Sequence, residues 1–139
     1  MGDPLPAFSV ELNTGATVST SSLRGKVAAI VFFNTGCPDC REELPVVQQL
    51  YDLYKDNDEV EIVPISREES QASVAAYWEA NGLTMPYSAQ ENRDVYSLFA
   101  PSVIPRVYIA DKAGIITAIF TDSPVASLET LVEAVEADL

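Results

Sequence analysis

The sequence predicts an α/β fold built on a mixed central sheet with helices on both faces. Three observations predict it. Val27-Ala28-Ala29-Ile30-Val31-Phe32-Phe33 is an unbroken apolar run rich in strand formers, as suits a central strand covered on both faces. Residues 60–66 form a second strand-like run, with a helix-like segment between the two. Residues 106–110 and 115–120 are strand-like and are joined by Asp111-Lys112-Ala113-Gly114, a hairpin signal.

The elements follow in order. Residues 7–12 alternate partly in polarity, Asn13-Thr14-Gly15 signals a turn, and residues 17–20 can pair back as an N-terminal hairpin. After the first apolar run, Asn34-Thr35-Gly36 breaks the strand. A helix is expected from Pro38 or Asp39 to about Lys55, with Leu44, Val47, Leu50, Tyr51 and Tyr54 as its core stripe and a kink at Pro45. Residues 70–80 read as a second helix closed by Asn81-Gly82. Residues 85–89 are a short strand candidate, and residues 94–99 a short helix. The C-terminal segment, residues 125–139, is an amphipathic helix with Leu128, Leu131, Val132 and Val135 on one face. With no repeat, linker or low-complexity segment, residues 1–139 are expected to form one domain.

The chain has 139 residues, enough to bury a core without staples. Its net charge is −13, from 8 basic and 21 acidic residues, so it lacks the basic footprint that nucleic acid or an anionic membrane requires. The start, Met1-Gly2-Asp3-Pro4, shows neither the basic nor the apolar region of an export signal. There is no histidine, which removes Ser/His and Cys/His nucleophile pairs.

The chemistry concentrates in Cys37-Pro38-Asp39-Cys40. Cys37 follows a buried strand and opens a helix, where free N–H groups and a partial positive charge favour a thiolate. Cys40 lies one turn later, within reach of a mixed disulfide on Cys37. Pro38 suits the first turn, where its missing N–H has no helical partner to lose. Zinc needs about four ligands, and two cysteines without a histidine supply half of them. A purely structural disulfide across so short a loop stabilises little. The pair therefore reads as redox-active, with no metal and no cofactor expected; no phosphate-cradling loop or ligand cluster is present.

Residues 32–45, Phe32-Phe33-Asn34-Thr35-Gly36-Cys37-Pro38-Asp39-Cys40-Arg41-Glu42-Glu43-Leu44-Pro45, resemble the thioredoxin-like thiol-disulfide oxidoreductases of the TlpA/ResA type. Ser22-Leu23-Arg24-Gly25-Lys26-Val27 looks like the family's lead-in to its central strand, and Ile104-Pro105 with the strand and turn that follow looks like its cis-proline loop and hairpin. The long stretch from Cys40 to Pro105 leaves room for that branch's extra strand-helix insertion. The resemblance implies that Cys37 attacks, Cys40 resolves, Pro105 is cis, and Ile104 presents its backbone to an extended substrate segment. It implies a proton-transfer role for Glu43, the alternative being a solvated surface glutamate like Glu42. It also implies disulfide-bearing protein substrates, an electron donor at the membrane or in the periplasm, and a periplasmic or cell-envelope location; a monomer is expected. The chain departs from the family in three places: Thr35-Gly36 replaces the usual Trp before the first cysteine, apolar Val31 replaces the buried acid that thioredoxins carry on the central strand, and Arg106 follows the proline where Thr is common. Trp78 is expected in the core.

Asp39 places a carboxylate beside the thiols and disfavours a thiolate, as Glu43 would. A less stabilised thiolate makes a more reducing couple, so the expected direction is reduction of protein disulfides. Two alternatives stand beside this reading. A peroxiredoxin-like peroxidase would need a threonine three residues before its cysteine, where Asn34 stands, and a non-enzymatic binding module would leave the intact cysteine pair unused.

Overall fold

The computed structural model describes residues 2–122 and 124–139. Met1, part of the N-terminal start considered above, lies outside the described residues. Strand β3 (Val27–Phe33) is buried at every position, which is why its sequence does not alternate. It pairs in parallel with β4 (Val60–Ser66) and antiparallel with β5 (Arg106–Ala110), which pairs antiparallel with β6 (Ile116–Phe120). The sheet order is β4-β3-β5-β6. Strands β1 (Ser9–Glu11) and β2 (Thr17–Ser19) form the separate N-terminal hairpin. The expected mixed sheet and hairpin are therefore both present.

The two faces of β3 seed two cores. Val27, Ala29, Val31 and Phe33 pack against α1 (Pro38–Tyr54), α2 (Gln71–Ala80) and α4 (Leu128–Asp138). Ala28, Ile30 and Phe32 pack against the hairpin and α3 (Asp94–Phe99). Helix α1 buries Leu44, Val47 and Leu50 as its stripe requires, and the kink expected at Pro45 does not interrupt it. Trp78 lies in the core, 5.2 Å from the Phe33 ring and 4.8 Å from Tyr87, and its indole N–H donates to the Met85 carbonyl.

Two expectations need correction. Residues 85–89 form no strand. Ser88 alone bridges β4, donating to the Pro64 carbonyl and accepting from the Ser66 N–H. Pro86 has no N–H, and the Tyr87 N–H and carbonyl are both taken by the distant Asn13. Between β4 and Pro105 the chain thus runs through α2 and α3, with a one-residue sheet contact at Ser88. The last helix begins at Leu128 rather than at 125, because the Ser127 hydroxyl accepts the Thr130 N–H and caps it there.

Helix α2 ends as its sequence predicts. Gly82 stands at φ +65°, the Leu83 N–H reaches the Trp78 carbonyl and the Gly82 N–H the Glu79 carbonyl, a Schellman end. A Cβ at Gly82 meets nothing within 4 Å, so only its backbone conformation resists substitution. Gly82→Ala should cost about 1 kcal/mol. Thermal denaturation should show a Tm lowered by roughly 2–5 °C with activity retained; an unchanged Tm would rule out the strained-backbone cost.

Candidate active site

The site lies where the parallel strands β3 and β4 end. Past β3, Asn34 organises a tight turn: its side-chain oxygen accepts the Gly36 N–H at 2.8 Å and its carbonyl accepts the Cys37 N–H at 3.0 Å. Its amide donates to the Arg67 carbonyl just past β4, tying the two strand ends together. Asn34 stands where a peroxidase would need its threonine, and its side chain is spent on these two bonds.

Cys37 is the N-cap residue of α1, in an extended conformation, with Pro38 at the first helical position. Among the described residues no side chain caps this end, which leaves N–H groups of the first turn free beside Cys37. Cys37 is half-buried and Cys40 fully buried, and both carry free thiols. Burial pushes the Cys40 thiol far above its ordinary range, the Asn34 backbone opposes this, Cys37 adds to it, and the Arg67 guanidinium opposes it in part.

The Ile104–Pro105 peptide is cis, as the resemblance implies. The Cys37 sulfur lies 3.9 Å from the Ile104 carbonyl oxygen. The loop carrying that carbonyl is braced from several sides. Val103 stands at φ +79°, which is rare for a β-branched residue. The Tyr96 hydroxyl donates to its carbonyl at 2.7 Å, and the Arg106 Nε donates to the Ser102 and Val103 carbonyls. Arg106, the departure noted after the proline, thus serves the loop.

Glu43 is not a surface glutamate. It is 1% exposed, one turn past Cys40 on the inner face of α1, while Glu42 is exposed. Among the described residues, neither Glu43 carboxylate oxygen has a hydrogen-bond partner of normal geometry. Burial pushes its carboxyl up to about 7, the Ala126 backbone N–H opposes this, and the Glu42 charge adds to it. Ala126 lines a cavity of about 510 Å³ between β6 and α4. Val31 is buried and apolar, so the acid inside this core comes from α1 instead of the central strand. Asp39 is half-buried in the first turn of α1.

Two residues escaped sequence reasoning. Glu69, 8% exposed, accepts the Thr35 N–H at 2.8 Å and the hydroxyls of Thr35 and Ser73. Arg67 lies with its guanidinium 4.6 Å from the Tyr96 ring centroid, and its buried Nη1 has no hydrogen-bond partner among the described residues. Both follow β4 in an ordinary charged loop sequence, and no local pattern marks either. Among the described residues, no group of three or more His, Cys, Asp or Glu side chains is placed to hold a metal ion.

The model of one family, described as the AhpC/TSA family, matches residues 1–119. The chain belongs to the AhpC/TSA family. Within it, the ResA thiol-disulfide oxidoreductase of Geobacillus kaustophilus is 30% identical over 121 residues, covering 87% of this chain and 69% of that protein. The resemblance to the TlpA/ResA branch is therefore borne out. A Bacteroides thetaiotaomicron structure, described provisionally as a protein disulfide isomerase, matches with a TM-score of 0.88 at 28% identity over 99% of this chain and 86% of that one. A thiol:disulfide interchange protein of the thioredoxin family from Chlorobium tepidum shares the fold, with a TM-score of 0.83 at 24% identity over 99% and 97%. This AhpC/TSA member spans between 61% and 70% of the length of the ResA proteins it matches.

Proposed function

We propose that the chain, as one domain over residues 1–139, is a thiol-disulfide oxidoreductase that reduces protein disulfides through Cys37 and Cys40. One observation carries the reading: a half-buried cysteine caps a helix opposite the Ile104 carbonyl, with a buried cysteine one turn behind it. The Cys37 thiolate attacks a substrate disulfide, forming a mixed disulfide and expelling one substrate thiolate. Cys40 then attacks the Cys37 sulfur, giving up its proton, and the second substrate thiolate leaves. Two electrons pass to the substrate and the protein is left with a Cys37–Cys40 disulfide.

The second step needs a proton acceptor, because burial holds Cys40 as the thiol. Glu43 supplies it: it lies on the same helix face, and a carboxyl pushed up to about 7 exchanges protons at neutral pH. Ile104 and Pro105 form the substrate edge, where an extended segment would pair beside Cys37. Pro38 fixes the first turn and Asp39 tunes the pair by adding negative charge to it. The likeness to ResA supports three remaining assignments: disulfide-bearing protein substrates, an electron donor at the membrane or in the periplasm, and a periplasmic or cell-envelope location; a monomer is proposed beside them. Among the described residues, no helix is long and apolar enough to cross a membrane.

Burial keeps Cys40 a thiol, so the reduced form gains no stabilisation from a Cys40 thiolate, the gain that makes a couple oxidising, and Asp39 brings negative rather than positive charge to the pair. Equilibrated in an ordinary glutathione buffer and quenched with acid, the protein should be mostly oxidised. A mostly reduced dithiol would overturn the reducing direction while leaving the oxidoreductase itself in place.

A further inference from the structure

Helix α2 reaches over the active-site turn along one line. Glu69, just before the N-cap Ser70, and Ser73 and Tyr77 within the helix recur at four-residue spacing, on a different line from the core residues Val74 and Trp78. Glu69 takes the Thr35 N–H on Oε1, and on Oε2 it takes the hydroxyls of Thr35 and Ser73, the latter at 2.7 Å. The Thr35 carbonyl accepts the Arg41 Nε at 2.5 Å, and the Arg41 guanidinium lies 5.8 Å from the Tyr77 ring centroid. Every polar group of Thr35 is thus engaged: its N–H and hydroxyl by Glu69, and its carbonyl by Arg41. The Glu69 backbone is itself fixed, its N–H donating to the Gln90 carbonyl.

A carboxylate 8% exposed and meeting three donors is a fully satisfied buried acceptor, the strong kind of hydrogen-bond site. Its partner stands two residues before Cys37, in the turn that sets where the cysteine sulfur sits against the Ile104 carbonyl. We propose that Glu69 is a positioning residue for the dithiol: its carboxylate, held just before the N-cap of α2, clamps Thr35 and so holds Cys37 in attacking position. The inference rests on the oxidoreductase reading and deepens it. It gives the inserted helix a task in the reaction, and it explains how Thr35-Gly36 can stand before the cysteine without an aromatic anchor.

The test uses the rate constant for mixed-disulfide formation with bis(2-hydroxyethyl) disulfide, a neutral probe, in a Cys40→Ser background at a temperature where every variant is folded. Glu69→Ala should slow attack about 10-fold, since displacing a reacting group by a fraction of an ångström is costly. Glu69→Gln should recover to within about 3-fold, because its amide oxygen can accept the Thr35 N–H and both hydroxyls can turn to meet its NH₂. Ser70→Ala removes the α2 N-cap, whose hydroxyl accepts the Ser73 N–H, and serves as the structural control. It should lower Tm without slowing attack. If Glu69→Ala does not fold, Thr35→Val decides, since it deletes the clamped hydroxyl at constant shape and should slow attack a few-fold. Unchanged attack in the folded Glu69→Ala protein, or in Thr35→Val where that is the deciding variant, overturns the inference. Absence of Cys37-dependent attack in the parent would instead overturn the function on which it rests.

Discussion

Cys37→Ser is expected to abolish disulfide reduction, and Cys40→Ser to yield a protein that attacks but cannot release its partner. The first change removes the nucleophile, and a serine hydroxyl does not form a disulfide; the loss in insulin reduction should be on the order of 10³-fold or more. Misfolding would not explain that loss, because Cys37 is an N-cap residue and serine is among the best N-caps. The second change leaves Cys37 and its helix end intact but removes the resolving thiol. A mixed disulfide should then accumulate, visible by mass spectrometry as an adduct released by dithiothreitol. The captured proteins would identify the natural substrates. Residual insulin reduction by Cys37→Ser, or a folded Cys40→Ser protein that takes up no adduct, would refute the assignment of roles. The order of the two cysteines follows from exposure: an incoming disulfide can reach half-buried Cys37 but not Cys40, which has no accessible surface.

What the sequence reveals depends on how local the deciding interaction is. Strands β3 and β4 are legible because burial on both faces writes an apolar run into the chain itself. The cysteine pair is legible because strand, turn, Pro38 and helix are contiguous. The short segment 85–89 misleads for the opposite reason. Its residues are strand-like, but Asn13 and Trp78, distant or on another element, take the backbone groups a ladder would use. Glu69 is invisible because its partner Thr35 lies 34 positions away. Glu43 is a different case, since the signal was present. Residues 43, 47, 50 and 54 recur at helical spacing, so the stripe that buries Val47 and Leu50 carries Glu43 inward with it. A glutamate on an apolar stripe is a rule broken locally, and such breaks gather at functional sites.

That break has a thermodynamic signature with a definite sign. The Glu43 carboxyl titrates near 4.5 when unfolded and near 7 when folded. Between those values the native state holds a proton that the unfolded state has lost, so stability falls as pH rises through this window. Below about 4.5 both states are protonated and the penalty vanishes; above about 7 it is complete, at most about 3 kcal/mol. Glu43→Gln keeps the shape and cannot ionise. Its advantage over the parent should therefore be near zero at pH 4.5 and grow to about 2–3 kcal/mol at pH 8, raising Tm by roughly 5–10 °C there. Subtracting the parent's profile from the variant's removes the contribution of the other acidic residues, which both proteins share. The same change should slow release of the mixed disulfide near neutral pH, because the buried Cys40 would lose its proposed proton acceptor. A protein that is more stable and slower at one pH is what a buried proton-accepting carboxylate predicts. A destabilised Glu43→Gln at pH 8 would refute the burial penalty, and an unslowed release step would refute the proton-acceptor role.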